Sequence, residues 1–234
     1  MIQEGINNKY TQMQKESYRG GTTNHEEHND NPDYWNILLS EITKNPDSWE
    51  GKTALDFACG KGRNVLNMLK LCDWKRVDGI DISEGNINHC NKVYIGYPVK
   101  WYCNNGIDVS DLKSNEYDFV MSTIALQHIP VYDIRKSLIS DLLRVLKPGG
   151  LFSFQMGYGT DLKDDFNRPR SSYFSNEWDA IGTNSEHDVR VQSEKEIIDE
   201  IVDIGYVNGS TTIKECFHYD AGHTHWIYVK GYKK

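Results

Sequence analysis

Residues 52–64 read Lys-Thr-Ala-Leu-Asp-Phe-Ala-Cys-Gly-Lys-Gly-Arg-Asn, and residues 77–81 read Val-Asp-Gly-Ile-Asp. Ala54 to Phe57 is a short apolar run of strand character, Gly60 and Gly62 make a tight turn without Cβ atoms to block a ligand, and Asn64-Val65-Leu66 opens a helix. The next apolar run closes on an acid, Asp81, about twenty residues beyond the turn. A glycine turn between strand and helix, followed at that distance by an acid, is how a βαβ unit holds a nucleoside. The backbone approaches the ligand and the acid accepts from ribose hydroxyls.

A dinucleotide site places a third glycine so that pyrophosphate can rest on the helix N-terminus. Here that position is Val65, and Lys61 and Arg63 read as surface charge. An acid, Asp56, precedes the glycines, which suits a ligand carrying a positive amino group and a sulfonium. The segment resembles motif I of class I S-adenosylmethionine (SAM) dependent methyltransferases, acid-x-Gly-x-Gly-x-Gly, with Ala58 at the first glycine. The resemblance continues in order through Gly79-Ile-Asp-Ile-Ser83, Asp118 to His128, and Arg144-Val-Leu-Lys-Pro-Gly-Gly150 before the strand Leu151 to Met156. It covers residues 50–156 well and 194–234 loosely.

The resemblance implies SAM as cofactor and a set of contacts to it. Asp56, Ala58, Cys59 and Gly60 lie at the turn, although Cys59 also reads as plain packing. Asp81 meets the ribose, and Ile82 packs on the adenine. Asn105, Gly106 and Ile107 occupy the loop that reads the adenine edge, and Ser122 and Thr123 face the methionine portion. It further implies an α/β, doubly wound, Rossmann-like seven-stranded sheet, mostly parallel with an antiparallel C-terminal strand pair. An N-terminal helical segment and an insert after strand five are added to it.

The residues themselves predict much of this order. A short helix is expected around Asn8 to Tyr18, and another, opened by Asn31-Pro32-Asp33, carries Trp35, Ile37, Leu38 and Ile42. Helices are expected from Arg63 to Leu71, from Ser83 to Val93, from Val131 to Leu146 and from Glu194 to Ile204. They alternate with strands at Arg76–Ile80, Val99–Cys103 and Leu151–Met156, and Lys147-Pro-Gly-Gly150 stops the long helix. Gly209–Phe217 and Thr224–Tyr232 read as a closing strand pair. Alternation of strands and helices puts a ligand at the carboxyl ends of parallel strands. Residues 1–48 form a cap segment, 49–234 the domain, and 157–193 a polar-aromatic insert assigned, with the cap, to covering the substrate.

Composition sets the partners. Acids outnumber bases 34 to 26 for a net charge of −8, which argues against a nucleic-acid surface. Five cysteines without a C-x-x-C pair read as buried thiols in a reducing compartment. His25-Glu-Glu-His28 lacks the i, i+4 spacing of a zinc helix, so no metal is expected. The polar residues after Met1 and the lack of a long apolar run predict a cytoplasmic protein without membrane contact, its oligomeric state open.

Methyl transfer from a sulfonium needs nucleophile, carbon and sulfur in line, and positioning alone supplies roughly 7–11 kcal/mol in favourable cases. A base is needed only for an acceptor that carries a proton. His128, just past strand four, is the candidate catalytic base, and Gln127 and Tyr158 are candidate substrate contacts; His187, His223 and His225 are weaker. The expected reaction is transfer to an oxygen or nitrogen of a small molecule. Macromolecular methylation, a nicotinamide oxidoreductase and a non-catalytic SAM-binding module are the rival readings. Strand four ends in Ser122-Thr-Ile-Ala125, not the Asp/Asn-Pro-Pro-Tyr string used on base amines.

Overall fold

All five residues of Thr53–Phe57 (β1) are buried, as a largely apolar run bounded by turn residues requires, and this strand lies in the interior of a seven-stranded sheet, third from one edge. The computed structural model of the protein describes residues 2–21, 32–162, 170–176, 188–215 and 225–234. The other sheet strands are β2 (Arg76–Asp81), β3 (Trp101–Cys103), β4 (Tyr117–Ser122), β5 (Leu146–Tyr158), β8 (Tyr206–Glu215) and β9 (His225–Lys233). Their order is β3-β2-β1-β4-β5-β9-β8. The first five run parallel, and β9 is antiparallel to both β5 and β8. This is the expected doubly wound architecture with its antiparallel end.

Strand alternation sends neighbouring side chains to opposite faces, and helices cover both. Leu55, Val120, Phe152 and Phe154 pack with α6 (Tyr132–Val145) and α7 (Glu194–Ile204). Ala54, Val77, Phe119 and Met121 pack with α2 (Pro32–Leu38), α3 (Ser40–Lys44) and α4 (Arg63–Leu69). The chain steps outward from β1 through β2 to β3, then returns to lay β4 on the other side. The order therefore reverses between β1 and β4, where Phe57 pairs with Ser122. A crevice at the carboxyl ends of strands forms at such a reversal.

Four details differ from the sequence expectation. The first helix is longer, Ile2–Tyr18 (α1). The second is broken at Leu39 into α2 and α3, with Leu38 and Leu39 both buried. Lys147-Pro-Gly-Gly150 does not precede β5 but bulges within it: β4 advances from Tyr117 to Phe119 while β5 advances from Leu146 to Leu151. The insert holds a small parallel pair, β6 (Ser171–Ser172) and β7 (Val189–Arg190), joined to the end of β5 by a bridge between Tyr158 and Val191. The remaining helix, α5 (Glu84–Val93), is capped by the Ser83 side chain accepting from the Asn86 amide. The His25–His28 segment, His187, Cys216 and His223 lie outside the described residues.

Candidate functional site

The turn after β1 is built on left-handed backbone, with φ of 60° at Ala58, 54° at Gly60 and 85° at Gly62. Gly62 serves the protein as well as any ligand: a Cβ there would lie 2.6 Å from the Trp101 ring, and one on Gly79 would lie 2.4 Å from it. The two acids of the Val77–Asp81 run are used differently. Asp78 is bound by Arg76 and by the Tyr117 hydroxyl, each at 2.8 Å, and is structural. Asp81, at the carboxyl end of β2, accepts from the Gly60 amide (2.8 Å), the Ser83 amide (2.8 Å) and the Asn86 side chain (3.3 Å). It thereby ties the glycine turn to the start of α5. Burial raises its pKa, and these hydrogen bonds oppose the rise.

Asp56 is the anomaly of β1. It is fully buried on the sheet face that carries Ala54, and neither carboxylate oxygen makes a hydrogen bond of strict geometry, although the Asn64 side chain acts on it as a hydrogen-bond donor. Burial raises its pKa to about 8; the Arg63 charge offsets part of the shift and Asp81 adds to it. An acid in this state binds a cation more readily than it stays ionised alone.

In the loop after β3, the Gly106 amide donates to Asn104 Oδ1 at 3.0 Å. The Asn105 side chain is exposed and accepts from the Ile107 amide (2.8 Å) and the Asp108 amide (2.9 Å), so it is spent on its own turn. A Cβ on Gly106 would lie 2.7 Å from Ile82 Cδ1 and 3.1 Å from Thr11 Cγ2, which places Ile82 against this glycine and beneath α1.

Beyond β4, the Ser122 hydroxyl is buried without a partner, while Thr123 donates to Gln155 at 2.8 Å. Ile124 has φ of 51°, a strained conformation for a β-branched residue, and it bends the chain into the 3₁₀ turn Leu126–His128. Gln127 is fully buried with both amide atoms unpartnered. The His128 side chain is 30% exposed and its Nδ1 lies 2.6 Å from Asp188 Oδ1, a carboxylate with 1% exposure. Burial lowers the imidazole pKa, but the Asp188 charge and hydrogen bond outweigh it against Arg170, and the result is raised. Tyr158 ends β5 beside the insert bridge.

α1 roofs both halves. The Tyr10 hydroxyl donates to the His128 carbonyl at 3.1 Å, the Ser83 hydroxyl to the Tyr18 carbonyl, and the Gly85 amide to the Arg19 carbonyl at 3.2 Å. Burial raises the Tyr18 phenol, and the Asp188 and Asp81 charges both add to it.

Residues 55–154 match the family described as a methyltransferase domain. Over these residues the chain is similar to the methyltransferase-domain family. Solved structures agree in fold. A Methanosarcina mazei SAM-dependent methyltransferase superposes with a TM-score of 0.62 at 20% identity, over 80% of this chain and 96% of that one. The Haemonchus contortus phosphoethanolamine N-methyltransferase 2, solved with phosphomonomethylethanolamine and S-adenosylhomocysteine, gives 0.60 at 17% identity. That match covers 85% of this chain and 52% of the other, so the present chain spans about half of its length. A Haloferax volcanii methyltransferase in complex with its Trm112 activator gives 0.61 at 16%, over 86% and 90%. No curated protein matches the sequence significantly.

Within the matched segment, the fold gathers Asp56, Ala58, Cys59, Gly60, Asp81 and Ile82 at the ends of β1 and β2, and Ser122 to His128 beside them after β4. Sequence reading missed Asp188, Tyr10, Tyr18 and Arg135. Only Arg135 left a signal: it stands in register with Leu138, Ile139 and Leu142, on the stripe of α6 that should be apolar. Among the described residues, no helix is long and apolar enough to cross a membrane.

Proposed function

We propose that the protein transfers a methyl group from SAM to an oxygen or nitrogen of a small molecule by in-line displacement. The observation that carries this reading is Asp56, a fully buried carboxylate at the mouth of the glycine turn whose burial is only partly offset by Arg63 and Asn64. When bound, SAM supplies a sulfonium-activated methyl group. The Asp56 carboxylate would hold its amino group, and the free lone pairs of Asp81 its ribose hydroxyls. Ile82, Gly106 and Ile107 flank the adenine position, and Ser122 and Thr123 the methionine portion. Cys59, with its thiol pushed well up by burial, packs behind the turn.

His128 takes the acceptor's proton, and Asp188 orients the ring and stabilises its charged form. Gln127 and Tyr158 border the acceptor side. The contacts that Tyr10 of α1 and Asp188 make to the His128 turn support a small acceptor over a protein or nucleic-acid surface. Calorimetry with SAM and with S-adenosylhomocysteine tests the reading. Wild type is expected to bind both, with Asp56→Asn and Asp81→Ala weaker by about tenfold or more. Equal heats across the three proteins would overturn it.

A further inference from the structure

Arg135 is fully buried on α6. Its Nη1 donates to the carbonyl of Ile129, the residue after His128, while Nε and Nη2 meet no hydrogen-bond partner. Its surroundings are aromatic: the guanidinium carbon lies 4.4 Å from the centre of the Tyr173 ring and 5.9 Å from that of Tyr132. The Tyr173 hydroxyl is also buried; it stands outside strict hydrogen-bond geometry but faces Arg135, and the two act on each other through charge and hydrogen bonding. Burial holds the guanidinium below its usual range, and Tyr173 and Tyr10 work against that.

A carbonyl and two ring faces account for one side of this cation. They leave the Nε/Nη2 edge, which is the edge that grips two oxygens of one anion in parallel. A purely structural role would leave these donors dehydrated at a cost that an apolar side chain avoids. Arg170, from the same insert segment as Tyr173, adds a second buried positive charge that acts on His128.

We propose that the Nε/Nη2 edge of Arg135, with the Tyr173 hydroxyl, binds an oxyanion of the methyl acceptor, a carboxylate or a phosphate, and so sets the acceptor's nucleophile against His128. The acceptor is then a small anionic molecule. The inference rests on the methyltransferase reading of the neighbouring turn, but the anion site is measurable apart from it.

The full chain is titrated with inorganic phosphate and, separately, with acetate at constant ionic strength in chloride. Each titration is run with and without S-adenosylhomocysteine, on wild type, Arg135→Met, Arg135→Lys and Tyr173→Phe. Arg135→Met is expected to fold, because an apolar side chain of similar volume replaces an unpaired buried charge. Saturable binding of one anion to wild type is expected, about tenfold or more weaker in Arg135→Met and in Arg135→Lys, which keeps the charge but loses the fork. A smaller loss is expected in Tyr173→Phe, with S-adenosylhomocysteine affinity within about twofold throughout. The anion that binds better identifies the group. Absence of saturable binding of either anion to wild type, or undiminished binding in the Arg135 variants, overturns the proposal. Should Arg135→Met not fold, Arg135→Lys and Tyr173→Phe decide by the same criterion. Failure of S-adenosylhomocysteine to bind wild type counts against the donor site alone, since the arm without it still reads Arg135.

Discussion

Two residues of the β1 turn carry conformational or electrostatic strain that a ligand or a substitution should release. Ala58 holds φ of 60° where the family string has glycine, a region that costs a residue with a Cβ about 1–2 kcal/mol. Part of any gain from Ala58→Gly is lost to the greater freedom of the unfolded chain, about 0.4–1 kcal/mol. The net expectation is a stabilisation of up to about 1 kcal/mol, read from the denaturation midpoint. Asp56 gives a pH signature. Its folded pKa of about 8 exceeds the ordinary 3.8, so the unfolded chain ionises first as pH rises. The ligand-free protein therefore loses stability from this group across the window from about 4 to 8, and the contribution is fully present only below it. Asp56→Asn should remove that dependence, so its stability advantage over wild type grows with pH across the window in denaturant titrations. A constant difference would show that Asp56 is already ionised and paired in the free protein.

At the scale of elements, the insert matters because it delivers a carboxylate to a turn on another part of the chain. His128 stands on a 3₁₀ turn fixed by Ile124, and Asp188 reaches it from just before β7. Because Asp188 raises the His128 pKa, the base is lost on acidification at a pH above the ordinary 6.5. With Asp188→Asn the burial effect prevails, and the acidic limb of kcat/KM should move to lower pH while the rate itself falls. An unmoved limb would mean that His128 is not the titrating base. The same pairing stabilises the fold below the ordinary histidine pKa, and that contribution fades as pH rises through the raised value. Ile124 also explains why the turn after β4 is hard to read from sequence: a β-branched residue gives no warning of left-handed backbone.

Across the whole molecule, α1 links the donor and acceptor halves. It touches Ser83, Gly85 and Gly106 on one side and the His128 carbonyl on the other. Tyr10→Phe removes the last of these contacts, worth about 1 kcal/mol. It should speed release of S-adenosylhomocysteine about fivefold in stopped-flow fluorescence with little change in fold. An unchanged release rate would show that α1 does not gate the site. The mostly parallel sheet with its antiparallel end and the glycine turn were legible in the sequence, because period and turn chemistry are local properties. The same local logic failed at Lys147-Pro-Gly-Gly150, where pairing with β4 absorbs the turn as a bulge. Asp188 beside His128, Tyr10 against the His128 carbonyl and Tyr18 within reach of the Asp81 and Asp188 charges were decided by tertiary structure alone. Those contacts join segments far apart in the chain. Which charges meet there depends on how the insert and α1 fold back over the strand ends, and no periodicity within either segment encodes that.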